Sequence, residues 1–144
     1  MTFKKETHEL ERFETAQAQV WPFPLEEIQR GKKREHWMWY VFPQISGLGK
    51  SKVAMHYSIS GLEEARDYLA HPVLGARLIE ISKAMMALEN LAADVVLGGI
   101  DALKLQSSAT LFQVADGGAV FGQLLDKYFD GESCPETLAL IKQD

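Results

Sequence analysis

Apolar residues recur along this chain at spacings of three and four, the repeat of one helical face. Leu74, Leu78, Ile81, Met85 and Leu88 step by four, three, four and three and predict the most regular helix. Leu10, Phe13, Gln17 and Val20 share another face, with Gln17 its polar member. Leu25 and Ile28 predict a short helix behind Pro22 and Pro24, closed by Gly31. Ser60 with Glu63 reads as a capping box, opening a helix whose face is Leu62, Ala65 and Leu69. His71-Pro72 ends that helix and starts the next, because proline suits the first helical position. Gly98-Gly99 breaks the chain again, and Asp101 is placed to cap a helix reaching about Val114. After the Asp116-Gly117-Gly118 loop, Val120, Phe121, Leu124, Leu125, Tyr128 and Phe129 form a wide helical stripe ended by Gly131. Ser133 with Glu136 forms a second box, for a short helix holding Leu138 and Ile141. The run His36 to Phe42 suits a buried strand or a short helix; its helical flanks favour helix, and Pro43 ends it. The pattern therefore predicts an all-α fold, one domain over residues 1–144, with seven or eight helices around one core.

Composition agrees with that size and class. The chain has 144 residues, 47% hydrophobic and 24% charged, which excludes a disordered tail, a collagenous repeat and a disulfide scaffold. The formal charge of −5 is uneven: residues 1–83 sum to +1 and residues 84–144 to −6. An acidic total argues against a general nucleic-acid binder. No apolar run approaches the roughly 20 residues that span a bilayer. The start, MTFKKETHELERF, has no apolar signal segment. The expectation is a soluble, cytoplasmic protein. The single cysteine, Cys134, lies close to Glu132 and Glu136, a setting for a structural or exposed thiol rather than a reactive thiolate. His8, His36, His56 and His71 show no metal-ligand spacing, so neither a metal nor a cofactor is expected.

Residues 31–51, GKKREHWMWYVFPQISGLGKS, break the average. Arg30, Lys32, Lys33 and Arg34 oppose only Glu35, as a solvated turn would or as a face toward phosphate or carboxylate would. Trp37 and Trp39 follow. On a helix they point roughly 200° apart, so at most one faces the core fully; the other is exposed or walls a cleft. Gly47-Leu48-Gly49-Lys50-Ser51 resembles part of a phosphate loop, but a complete one requires glycine where Gln44 stands. Two readings remain: a glycine-rich turn holding an anion at a helix capped by Ser51, or glycines that merely permit positive φ. Further on, Lys104 and Ser108 are i,i+4 neighbours, read as a Ser–Lys pair or as interhelical hydrogen bonding. Glu63, Glu64 and Asp67 read as an acid–base group or as a solvated face.

HWMWYVFPQ (36–44), GLGKS (47–51), EEARDYLAHPVLGARL (63–78) and DALKLQSSATLF (101–112) together resemble the bacterial domain of unknown function 1810 family, whose members often carry the mistaken label calpastatin. The resemblance runs from about residue 10 to the C-terminus. It implies a compact all-α domain and no particular activity. The polar motif positions that it carries over are His36, Trp37, Trp39, Gln44, Ser51 and Tyr57, then His71, Arg77, Lys104, Ser107, Ser108 and Thr110. The chain departs from the family pattern at Gln106 and Ala109, where arginine and methionine are usual.

The leading expectation is a domain that binds a nucleotide-like or other anionic small molecule. Trp37 or Trp39 would stack on a ring, Lys33 or Arg34 would hold phosphate, and Glu35 or Glu64 would assist cleavage if it is a hydrolase. By architecture alone the layout is similar to the helical N-glycosidases acting on ADP-ribose derivatives. The alternative is a protein-interaction or homo-oligomerisation module without catalysis, anchored by the tryptophans.

Overall fold

The stripe of residues 74–88 becomes one of the two longest helices of the structure, Leu74–Ala87. The computed structural model describes residues 9–143; His8 lies outside them. In chain order the helices are α1 (Glu11–Ala18), α2 (Phe23–Gln29), α3 (Met38–Val41), α4 (Lys52–His56), α5 (Leu62–Ala70), α6 (Leu74–Ala87), α7 (Ala93–Leu97), α8 (Gly99–Val114), α9 (Ala119–Phe129) and α10 (Pro135–Lys142). The fold is all-α. Among the described residues there are ten helices rather than seven or eight, because α3, α4 and α7 are turns of four or five residues that periodicity does not resolve. The only strand-like pairing among them is an isolated parallel bridge between Ile45 and Ile59.

The core sits between α6, α8 and α9. Leu74, Leu78, Ile81 and Met85 point inward from α6, and Val120, Phe121, Leu124 and Leu125 from α9. Each such side chain contributes about 1.5–3 kcal/mol on burial. A run of aromatic contacts crosses the interior. Phe13 meets Tyr68 edge-on at 5.2 Å, Tyr68 lies 5.5 Å from Phe112, and Phe112 lies 5.7 Å from Phe121. Gln17 occupies its apolar face because the interior supplies partners. Its Nε2 donates to the Tyr40 carbonyl at 2.7 Å, and its Oε1 accepts from Arg77 at 3.3 Å. A buried amide is tolerated on those terms.

Helix starts differ from the predicted boxes. Gly61, not Ser60, precedes α5, and Glu64 rather than Glu63 accepts the Ser60 N–H at 2.7 Å. The buried face is accordingly Glu64, Ala65 and Tyr68, with Leu62 and Leu69 only half-buried. Cys134 takes the place expected of Ser133 before α10, without a side-chain cap. Its N–H donates instead to Thr110 Oγ1 of α8 at 2.9 Å, which docks the last helix. Asp101 lies within the first turn of α8 and does not cap it. Pro72 lies in the turn before α6, and His71 supplies the cap: its Nδ1 accepts from the N–H groups of Val73 and Leu74 at 3.1 and 3.2 Å. The other ring nitrogen faces Glu14 at 3.2 Å. Ser51 caps α4 as expected, accepting from Ala54 N–H at 3.1 Å.

A side-chain cap contributes about 1 kcal/mol. His71→Ala is therefore expected to lower unfolding free energy in urea by about that amount. His71→Asn, which can still accept from the same N–H groups, is expected to lose less than half as much.

Candidate functional site

The geometry starts from a residue that sequence reading passes over. Glu27, on the inward side of α2, is 6% exposed. Its Oε1 accepts three hydrogen bonds, from Arg34 N–H at 2.8 Å, Glu35 N–H at 3.2 Å and the Trp37 indole N–H at 2.8 Å. Burial pushes the Glu27 carboxyl up, but the Arg34 backbone, the Trp37 indole, the Glu35 backbone and the Lys33 charge together hold it below the ordinary value. The basic run is thus wrapped around a carboxylate, and Lys33 N–H adds a bond to the Val96 carbonyl on α7 at 2.8 Å.

This wrapping separates the two tryptophans. Trp37 is 1% exposed and packs on Phe42 in the core. Trp39, on α3, is half-buried and faces outward. The Lys33 ammonium lies over the Trp37 ring at 5.1 Å and reaches Asp101 Oδ2 at 2.9 Å. On the other side of the same carboxylate, Lys104 reaches Asp101 Oδ1 at 3.0 Å and lies over Trp39 at 4.8 Å. Burial raises the Asp101 carboxyl, yet the hydrogen bonds and charges of Lys33 and Lys104 outweigh it and hold the group ionised below its usual range.

Two adjoining clefts open here. The first, about 380 Å³, is lined by Lys33, His36, Trp39, Asp101, Lys104 and the Gly98-Gly99 start of α8. Gly98 adopts φ +91 and provides no side-chain cap, so the first N–H groups of a 16-residue helix are left near the same lysines, an end that favours anions. The second, about 400 Å³, lies across Lys104 and Ile100, which line both. Gln44, Gln106, Ser107, Cys134 and Glu136 bring polar atoms to it, while Leu48, Ala54 and Leu103 bring apolar surface.

Lys33, His36, Trp39, Gln44, Lys104 and Ser107 therefore converge, although they lie up to 74 positions apart in the chain. The other candidates stand elsewhere. Arg34 is exposed and lines neither cleft; Glu35 borders a small hollow with Arg30 and Phe23. Glu64 is buried beside Arg12 at 3.3 Å and holds Ser60. Tyr57 packs on Phe13 and Tyr40, and Arg77 lies over Trp21 at 5.1 Å. Ser108 is buried and makes no pair with Lys104, whose partners are Asp101 and Trp39. Thr110 donates to the Gln106 carbonyl at 2.8 Å and accepts from Cys134. Of the two glycines in the GLGKS segment, only Gly47 takes positive φ, at +108. Cys134 is buried, 3.4 Å from Ser107 Oγ and 3.5 Å from Glu136.

Asp101, Gly98-Gly99 and Ile100 enter the site without having been chosen as site residues. Asp101 had one available signal: on a helix it stands three residues before Lys104. Among the described residues, no three His, Cys, Asp or Glu side chains are grouped as a metal ion needs, and no helix is long and apolar enough to cross a membrane.

The model of a family described as "Protein of unknown function (DUF1810)" matches residues 7–141. The crystal structure of the conserved hypothetical protein Rv1873 from Mycobacterium tuberculosis is similar at 44% identity and a TM-score of 0.93, over 94% of this chain and 98% of that one. A search of curated proteins gives no match.

The depressed carboxyl of Asp101 gives a pH test. A group whose pKa is lower in the native state stabilises above its unfolded value, near 4, and loses that contribution as pH falls through the native value. Wild-type stability is expected to drop below about pH 4. Asp101→Asn should flatten that drop below about pH 4 in urea-unfolding midpoints, leaving the part due to Glu27.

Proposed function

The chain belongs to the DUF1810 family, and from that premise we propose that it binds a small anionic molecule of nucleotide type in the cleft between α3 and the start of α8. One observation carries this reading: two ammonium groups, ordered by one carboxylate, stand in a concave site beside a half-buried tryptophan and an uncapped helix start. Two lysines against one aspartate leave a positive balance in a chain whose total is −5. Lys33 is only 7% exposed and already committed to Asp101, so it acts mainly through the field. Lys104 is the cation that meets the ligand. Asp101 is held ionised, which suits ordering the lysines better than donating a proton. Binding is therefore the reading favoured over hydrolysis.

A second reading, an interaction module, draws on Ile100 and Leu103, which are 75% and 62% exposed at the rim of the clefts. Apolar side chains so exposed and so close together suit a partner's surface.

Isothermal titration with inorganic pyrophosphate separates the two. Wild type is expected to bind in the millimolar range or tighter, with affinity falling as salt rises. Lys104→Ala should weaken it by about ten-fold, the scale of one lost charge-assisted contact. Absence of binding at about 10 mM anion, where a competent site is filled, overturns the cleft reading. The interaction module takes its place if the chain also sediments as an oligomer that Leu103→Lys dissolves.

A further inference from the structure

The second cleft differs in chemistry from the first. Its walls include Leu48, Ala54 and Leu103, and its cationic member, Lys104, is at the boundary it shares with the first cleft. Gln44 lines it, half-buried, and its side-chain amide makes no hydrogen bond with any described residue. Its backbone, by contrast, is fixed: the Gln44 carbonyl accepts from Ile59 N–H at 2.8 Å beside the Ile45–Ile59 bridge. Pro43, buried, precedes it. An amide carried on fixed backbone, with both its donor and its acceptor unclaimed, is equipped to read a partner that offers the complementary pair. Adenine offers that pair at N6 and N7. The two clefts, about 380 and 400 Å³, are each within the range of small-ligand sites. They meet at Lys104, so one molecule laid across that lysine places its anion in the first cleft and its ring in the second.

We infer that the second cleft is a base subsite in which Gln44 recognises adenine, so that the ligand is an adenosine 5′-phosphate. This rests on the anion-binding reading of the first cleft. Ile100 and Leu103, three residues apart on one face of α8, form an apolar wall for the ring, and Lys104 meets the phosphate. The specificity for the base resides in Gln44.

The test compares AMP with ribose 5-phosphate, which has the same phosphate and no base, on wild type and Gln44→Leu. Wild type is expected to bind AMP about ten-fold more tightly than ribose 5-phosphate, the low end of what one bidentate amide–base pair provides. Gln44→Leu should remove that advantage and leave ribose 5-phosphate binding unchanged. In methyl spectra of wild type, AMP should shift the Leu103 resonances and ribose 5-phosphate should not. Equal affinity for the two ligands overturns the base subsite while leaving the anion reading standing. So does equal weakening of both by Gln44→Leu, or an AMP complex that leaves Leu103 unmoved. If neither ligand binds and pyrophosphate fails as well, the anion reading itself is overturned, and this inference with it.

Discussion

The aromatic and basic segment takes its shape from one buried carboxylate. A charge held in the interior is tolerated only when hydrogen bonds and opposite charge replace water. Glu27 is met by two backbone N–H groups and an indole N–H on one oxygen, with Lys33 close enough to add its field. Hydrogen bonds to a charged acceptor are roughly twice as strong as neutral ones, so the loop has little freedom to open. Three consequences follow in order. Trp37 is drawn into the core, Trp39 two residues later is turned outward, and Lys33 is laid across Trp37 toward Asp101. Asp101 then orders Lys104 over Trp39. The clefts are the last step of a chain that begins on α2.

Helix α8 carries both halves of the molecule's work. Its later turns are almost wholly internal: Leu105, Ala109, Leu111 and Phe112 are buried, and Thr110 docks α10. Its first turns are different. They begin at two glycines, expose Ile100 and Leu103, and hold Asp101 and Lys104 at the clefts. The packed end fixes the direction of the helix, and so fixes where its open end presents charge. Stability and recognition are separated along one element rather than mixed.

The long helices were legible because burial on one side imposes a repeat that sequence displays; α6 and α9 show it plainly. Of the one-turn helices, α3 was legible from its helical flanks and α4 from the Ser51 cap, while α7 was not, since five residues are too few to display a repeat. Helix caps follow the local motifs less closely than the helices follow the apolar repeat. His71 accepts the N–H groups at the start of α6 and Glu64 that of Ser60, local bonds displaced from the ones the motifs assign, while the Cys134 N–H is taken by a tertiary neighbour, Thr110 of α8. The unusual character of residues 31–51 was visible in composition, and so was the limit that only one tryptophan could face the core. Its organiser was not visible. Glu27 looks like any surface glutamate on a short helix until the loop folds over it, and Asp101 looks like a cap until Lys33 arrives from 68 positions away. Ser82, Ser108 and Thr137 are buried with hydroxyls that meet no hydrogen-bond partner among the described residues.

Amide hydrogen exchange on wild type and Glu27→Ala tests the central claim most directly. If the carboxylate organises the segment, its removal leaves the Arg34 and Glu35 amides and the Trp37 indole N–H exchanging about ten-fold faster or more, the cost of losing charge-assisted bonds. Leu78 and Leu124, in the core of α6 and α9, should keep their protection. Unchanged exchange at Arg34, Glu35 and Trp37 in the variant would contradict it.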